Sequence, residues 1–97
     1  MKNKLMLLTA ILAVAIAQGA SNELAKQDFR KTGNIASHEQ FYAAHPGLEK
    51  YVELRRAKAD MAPSYYVQDI LTFSHQGRQA DSDYRADQLK EHISNNP

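Results

Sequence analysis

Four histidines, eleven acidic side chains and no cysteine set the range of chemistry open to this 97-residue chain. Without cysteine there is no thiolate nucleophile, thiolate metal ligand or disulfide. Among the histidines, His38 and His45 come nearest to a motif, because His38-Glu39 resembles the start of a zinc-protease helix. That motif needs its two imidazoles one turn apart, and here the second lies seven positions on. Along one helix face the pair would stand about 10 Å apart, too far to share a zinc ion unless the chain bends at Pro46. Both are expected to be partly exposed polar residues flanking Phe41. His75 and His92 are isolated in the sequence and take the same reading.

The acidic run Asp81-Ser82-Asp83-Tyr84-Arg85-Ala86-Asp87 has the outline of a calcium loop. It departs where the ligands matter, with Arg85 at the third oxygen position, Ala86 at the turn glycine and His92 at the bidentate glutamate. Asp81, Asp83 and Asp87 are better explained as acidic residues near a helix N-terminus, favoured there by the helix dipole. Ser74 and His75 are neighbours that point about 100° apart on a helix, so they form no nucleophile and base pair. A Gly-x-Ser-x-Gly elbow and a phosphate-cradling glycine loop are both missing. No catalytic, cofactor or metal residue is assigned, and the expectation is a protein without enzymatic activity.

Two features remain as candidates for partner binding. Arg55-Arg56 with Lys58 is a basic cluster flanked by Glu53 and Asp60, and on a continuous helix Arg56 pairs with Asp60 at i+4. Tyr65 falls on the polar face of its helix, where a tyrosine either anchors an interface or is an ordinary surface residue. The candidate contact residues are therefore Tyr65, Arg55 and Arg56.

The elements that position these residues begin after a leader. Met1-Lys2-Asn3-Lys4 is cationic, Leu5 to Ala17 is apolar apart from Thr9, and Gln18-Gly19-Ala20-Ser21 is small and polar. These are the three regions of a secretory signal peptide. Its 13-residue apolar run, interrupted only by Thr9, spans about 20 Å as a helix, short of the roughly 30 Å hydrocarbon layer, so cleavage that leaves a chain beginning between Gln18 and Ser21 is expected rather than a membrane anchor. Residues 1–20 are assigned to the leader and 21–97 to one small domain. The short cationic start and alanine-rich cleavage region have a bacterial pattern, which points to a periplasmic or secreted product.

Setting the leader aside changes the arithmetic. It holds 14 of the 42 apolar residues, leaving 28 among 77, and two of the 12 basic residues, leaving 10 against 11 acidic ones. A chain without surplus positive charge lacks the counterion-release term that drives nucleic-acid affinity and the attraction that docks proteins on anionic lipid. Neither a nucleic-acid partner nor stable membrane insertion is expected. A core this thin gains stability from a protein partner or from self-association.

The periodicity predicts an all-α bundle of three to five short helices, since no apolar and polar alternation is sustained long enough for a strand. The span 21–36 admits two readings, a short helix around Leu24, Ala25 and Phe29 or a mobile arm. Ser37-His38-Glu39-Gln40 is a capping box opening a helix to Ala44, which His45-Pro46-Gly47 ends. Leu48 to Ala62 is read as one helix and the most buried, with the stems of Lys50, Arg55 and Lys58 covering apolar surface. Ser64 to Gln76 is the cleanest amphipathic segment, with Tyr66, Val67, Ile70, Leu71 and Phe73 on one side and Gly77 as its stop. Asp81 or Ser82 is expected to cap a last helix to Ile93, carrying a stripe of Ala86, Leu89 and Ile93, before a frayed Asn95-Asn96-Pro97.

The resulting expectation is an exported, non-enzymatic helical protein of the bacterial envelope or secretome that binds a protein partner as an inhibitor, immunity-type factor, chaperone or assembly accessory. The alternative is a small secreted metal-binding protein or enzyme using His38, His45 or the Asp81, Asp83 and Asp87 cluster.

Overall fold

In a computed structural model of the chain, residues 22–30, 35 and 37–97 are described. The expected leader and its cleavage region lie outside them. The described residues form a small all-α bundle with five helical segments: α1 (22–26), α2 (His38–Ala44), α3 (Leu48–Ala57), α4 (Ala62–His75) and α5 (Gln79–Asn95).

The helix starts and stops follow from local chemistry. Ser37 sits in extended backbone and its Oγ accepts the Gln40 N–H at 3.2 Å, satisfying one of the donors left unpaired at the start of α2. Gly47, at φ 88°, turns the chain from α2 into α3 through the left-handed region that glycine enters without a steric penalty. At the end of α4, Arg78 N–H donates to Phe73 O at 2.8 Å and Gly77 N–H to Ser74 O at 3.1 Å. With Gly77 at φ 74° this is a Schellman cap.

The same cap closes α3 five residues before the expected end. Asp60 N–H donates to Arg55 O at 2.8 Å and Ala59 N–H to Arg56 O at 3.0 Å. Its left-handed position is Ala59, at φ 63°, so the residue that carries the stop has a Cβ. Asp60 holds the strained turn in place: its Oδ1 accepts the Ala62 N–H at 3.2 Å and its Oδ2 lies 3.2 Å from His92 Nε2. Ala59→Gly is expected to raise stability by up to about 1 kcal/mol, since the left-handed strain removed slightly exceeds the entropy glycine adds to the unfolded chain. A higher melting temperature in thermal unfolding is the check.

The break at Lys58-Ala59-Asp60 corrects the reading of Leu48 to Ala62 as one continuous, most buried helix. Only Leu48, Tyr51 and Val52 of α3 are buried, while Leu54 and Ala57 are exposed, as are Lys50 and Lys58. The helix is shorter, so its apolar arc is covered only on the side facing the bundle. α4 then starts at Ala62, ahead of the expected Ser64, with Pro63 in the first turn, where its missing N–H removes no helical bond.

α4 and α5 are the main packed pair. Val67, Ile70 and Leu71 from α4 meet Ser82, Ala86, Leu89 and Ile93 from α5. The pairs Ile70 with Ser82 and Asp69 with Arg85 from α4, and Asp60 with His92 from the turn before it, step backwards along the chain as they advance along α5, so the two helices run antiparallel. Ser82 is not the cap of α5. The helix begins at Gln79, and Ser82 is fully buried inside it, donating from Oγ to Ile70 O at 3.1 Å. It extends the stripe of Ala86, Leu89 and Ile93 by one more turn, and its small side chain together with Ala86 lets the helices approach.

The remaining elements close the ends of this hairpin. Phe41 on α2 and Leu48, Tyr51 and Val52 on α3 join the same core, as do Leu24 and Phe29 from 22–30. Of the two readings for the beginning of the domain, a short helix is therefore what residues 22–26 form, and 22–30 are packed. At the other end, the expected fraying is corrected as well: the Tyr51 hydroxyl and the Arg55 guanidinium both donate to Asn96 O, tying the chain beyond α5 to α3.

Candidate functional site

The residues singled out by the sequence fall into three separate places. The first is the turn between α3 and α4. Leu54 (54% exposed), Met61 and Tyr65 (58% exposed) are three of the four large apolar side chains exposed among the described residues; Met61 and Tyr65 belong to this junction and Leu54 to the last turn of α3. Met61 and Tyr65 lie one helical turn apart, with Tyr65 N–H donating to Met61 O at 3.1 Å. Tyr65 is on the outer face as expected. Arg56 crosses the same junction, its Nη2 donating to Ser64 Oγ at 2.9 Å.

Arg56 does not pair with Asp60, and the reason is geometric. The i+4 relation places two side chains on one face only while the helix continues, and α3 ends at Ala57. Asp60 instead meets His92, 32 residues away, whose ring also packs 5.8 Å from that of Tyr66. His92 is thus half-buried and engaged, not isolated. Arg55 leaves the candidate surface altogether: its Nη2 donates to the carbonyls of Asn96 and Pro97, and its guanidinium lies 5.3 Å from the Tyr51 ring centroid. Burial raises the Tyr51 phenol above its ordinary pKa, against the hydrogen bond and charge of Arg55. Of the three candidate contacts, Tyr65 and Arg56 share the α3–α4 junction and Arg55 has an internal role.

The second place is the end of α2. His38 is exposed, but His45 is only 7% exposed, which corrects the expectation that both are partly exposed. Its ring lies 4.8 Å from Phe29 and 4.7 Å from Phe41. Nε2 is buried and has no hydrogen-bond partner among the described residues. Burial lowers the imidazole pKa below its ordinary value, and the nearby Asp28 carboxylate opposes that shift. Sequence spacing identified Phe41 as a neighbour of His45 but gave no signal for Phe29, which arrives from another segment.

The third place is an open groove of about 360 Å³ lined by His38 from α2 and by Gln68, Leu71, Thr72, His75 and Gln76 from α4. It brings two histidines, far apart in sequence, to one groove whose other lining residues are neutral. His45 lies outside it.

The acidic cluster is dispersed by packing. Asp81 pairs with Arg78 at 2.8 Å, Asp83 accepts from Gln79 Nε2 at 2.8 Å, and Asp87 reaches Arg30 at 3.1 Å. No group of three or more His, Asp or Glu side chains converges as a metal site among the described residues. No helix among them is long and apolar enough to cross a membrane. Comparison with protein-family models, curated proteins and solved structures finds no match for the chain.

Proposed function

We propose that this chain is an exported helical module without enzymatic activity that acts by docking a protein partner on the α3–α4 junction. The observation that carries the reading is the exposure of Met61 and Tyr65, one helical turn apart where α4 begins, with Arg56 bonded to the neighbouring Ser64. Aromatic and arginine side chains are the groups most enriched among residues that dominate binding energy. Tyrosine contributes a large contact area with few rotatable bonds, and a methionine one turn away supplies an adaptable apolar surface. The leader read from residues 1–20 supports export. Partner classes that fit are an inhibitor target, a toxin-like protein neutralised by an immunity factor, or a subunit whose assembly is assisted.

Photo-crosslinking tests the reading directly. A photoreactive phenylalanine at position 65 should yield a discrete protein adduct in intact cells, whereas the same group at exposed Glu91 on α5 should not. Tyr65→Ala is expected to weaken that contact about tenfold or more, which corresponds to a contribution above 1 kcal/mol. Its melting temperature should match the parent within the scatter of surface substitutions. Equal labelling from positions 65 and 91, or unchanged partner affinity in Tyr65→Ala, would sink the proposal. An adduct of twice the chain mass, with a melting temperature that rises with concentration, would identify the partner as a second copy.

A further inference from the structure

We infer that His45 is a proton-operated latch: protonation of its buried ring releases residues 22–30 from the bundle and uncovers the apolar surface of Phe41 and Leu48. The latch is a three-ring cluster. Phe29, carried by the 22–30 segment, and Phe41, carried by α2, both lie against the imidazole, at 4.8 and 4.7 Å, and 6.5 Å from each other. The phenylalanine ring planes are tilted by 50° and 53° to that of the imidazole.

The segment's other attachments are modest. Leu24 is buried and lies over Gly47, where an added Cβ would meet Leu24 Cδ2 at 3.8 Å. The Arg30–Asp87 pair and the Gln79 Nε2 bond to Arg30 O are exposed, and contacts of that kind hold little against water. Closure also buries polar atoms that gain nothing from it. His45 Nε2 and Gln27 Oε1 are both buried without a hydrogen-bond partner among the described residues, and opening gives each access to water.

An imidazolium in this position would be a buried cation, which a closed site accepts only when a counter-charge faces it. Among the charged groups packed around the ring, the one that acts on it is Asp28, which is itself exposed and accepts the Arg30 N–H at 3.0 Å. The other charged groups on these elements, Glu23, Lys26 and Arg30 on the segment, His38 and Glu39 on α2, and Glu49, Lys50, Glu53 and Arg56 on α3, are exposed, while Arg55 is half-buried and held by the carbonyls of Asn96 and Pro97. Tyr42 on α2 is half-buried, and burial raises its phenol further from ionisation. The closed state therefore holds the ring neutral, and the open state lets it take up a proton at the ordinary imidazole value.

The direction in pH follows. A folded-state value below the open-state one means that closure is complete above about pH 6.5 and weakens as pH falls from there towards the lowered value, by up to about tenfold in the opening equilibrium per pH unit. Amide hydrogen exchange on the purified chain between pH 7.5 and 4.5, corrected for intrinsic exchange, reads this directly. Residues 22–30 should lose protection across that range while α4 and α5 keep theirs. In His45→Gln the protection of 22–30 should no longer depend on pH. Should that variant fail to fold, the imidazole resonance of His45 in the parent protein is expected to titrate with the same midpoint as the loss of protection. Flat protection in the parent overturns the latch, as does an unchanged pH response in His45→Gln or a His45 ring that titrates while 22–30 remain protected.

Discussion

Ile70→Ala is expected to remove about 2–5 kcal/mol of stability. Ile70 is fully buried at the middle of α4, and its own carbonyl accepts the Ser82 hydroxyl, so it stands in the seam of the antiparallel α4–α5 pair. A domain of this size has roughly 3–5 kcal/mol from its core, which makes the loss comparable to the whole. Thermal and urea unfolding followed by helical circular dichroism should show a partly unfolded population at room temperature. Ile70→Val, which trims one methyl group, should cost about 0.5–1.5 kcal/mol and remain folded. A variant with alanine at this position that melts like the parent would show that α4 and α5 do not pack in solution as described.

Phe41→Ala should cost a similar amount, about 3–5 kcal/mol, but distributed differently. Phe41 is fully buried and is the ring on which Phe29, Tyr42 and His45 converge. It belongs to a helix of seven residues, far too short to persist without packing. Losing this ring should therefore free α2 and residues 22–30 first, with α4 and α5 the last to lose protection. Hydrogen exchange measured segment by segment separates the outcomes: uniform loss in every helix would mean that α2 and the α4–α5 pair form one cooperative unit. Because Phe41→Ala opens the segment that the His45 latch closes, the variant should also show little residual pH dependence in residues 22–30.

The helical class of the fold was legible in the sequence because it depends on contacts three or four residues apart. Ser37 caps α2 as its spacing to Gln40 implies, Gly77 closes α4, and Val67, Ile70 and Leu71 face the core as their period requires. Tyr65 was placed on the outer face by the same arithmetic and is found there. The candidate surface as a whole was less legible. Met61 joins Tyr65 in it because α3 has already ended before Met61, and Arg55 leaves it because the carbonyl of Asn96 lies within reach of its guanidinium.

Where the sequence misled, a local rule was overridden by a partner from elsewhere. The end of α3 was missed because its left-handed cap residue is Ala59, and an alanine takes that conformation only where tertiary contacts impose it, here through Asp60 and His92. Ser82 resembled a helix cap, since a hydroxyl near a helix start usually accepts from the backbone, yet in this bundle it donates to Ile70 O across the helix pair. His45 was expected to be half-exposed because spacing reveals only Phe41, its neighbour on α2, and Phe29 completes the burial from a different segment. The sequence by itself determined the helical class, the starts of α2 and α3 and the outward direction of Tyr65, all set by short-range geometry along one helix. The tertiary structure alone decided where α3 stops, which charges pair and which histidine is buried, because each depends on the desolvation of a group by residues that no period along the chain connects.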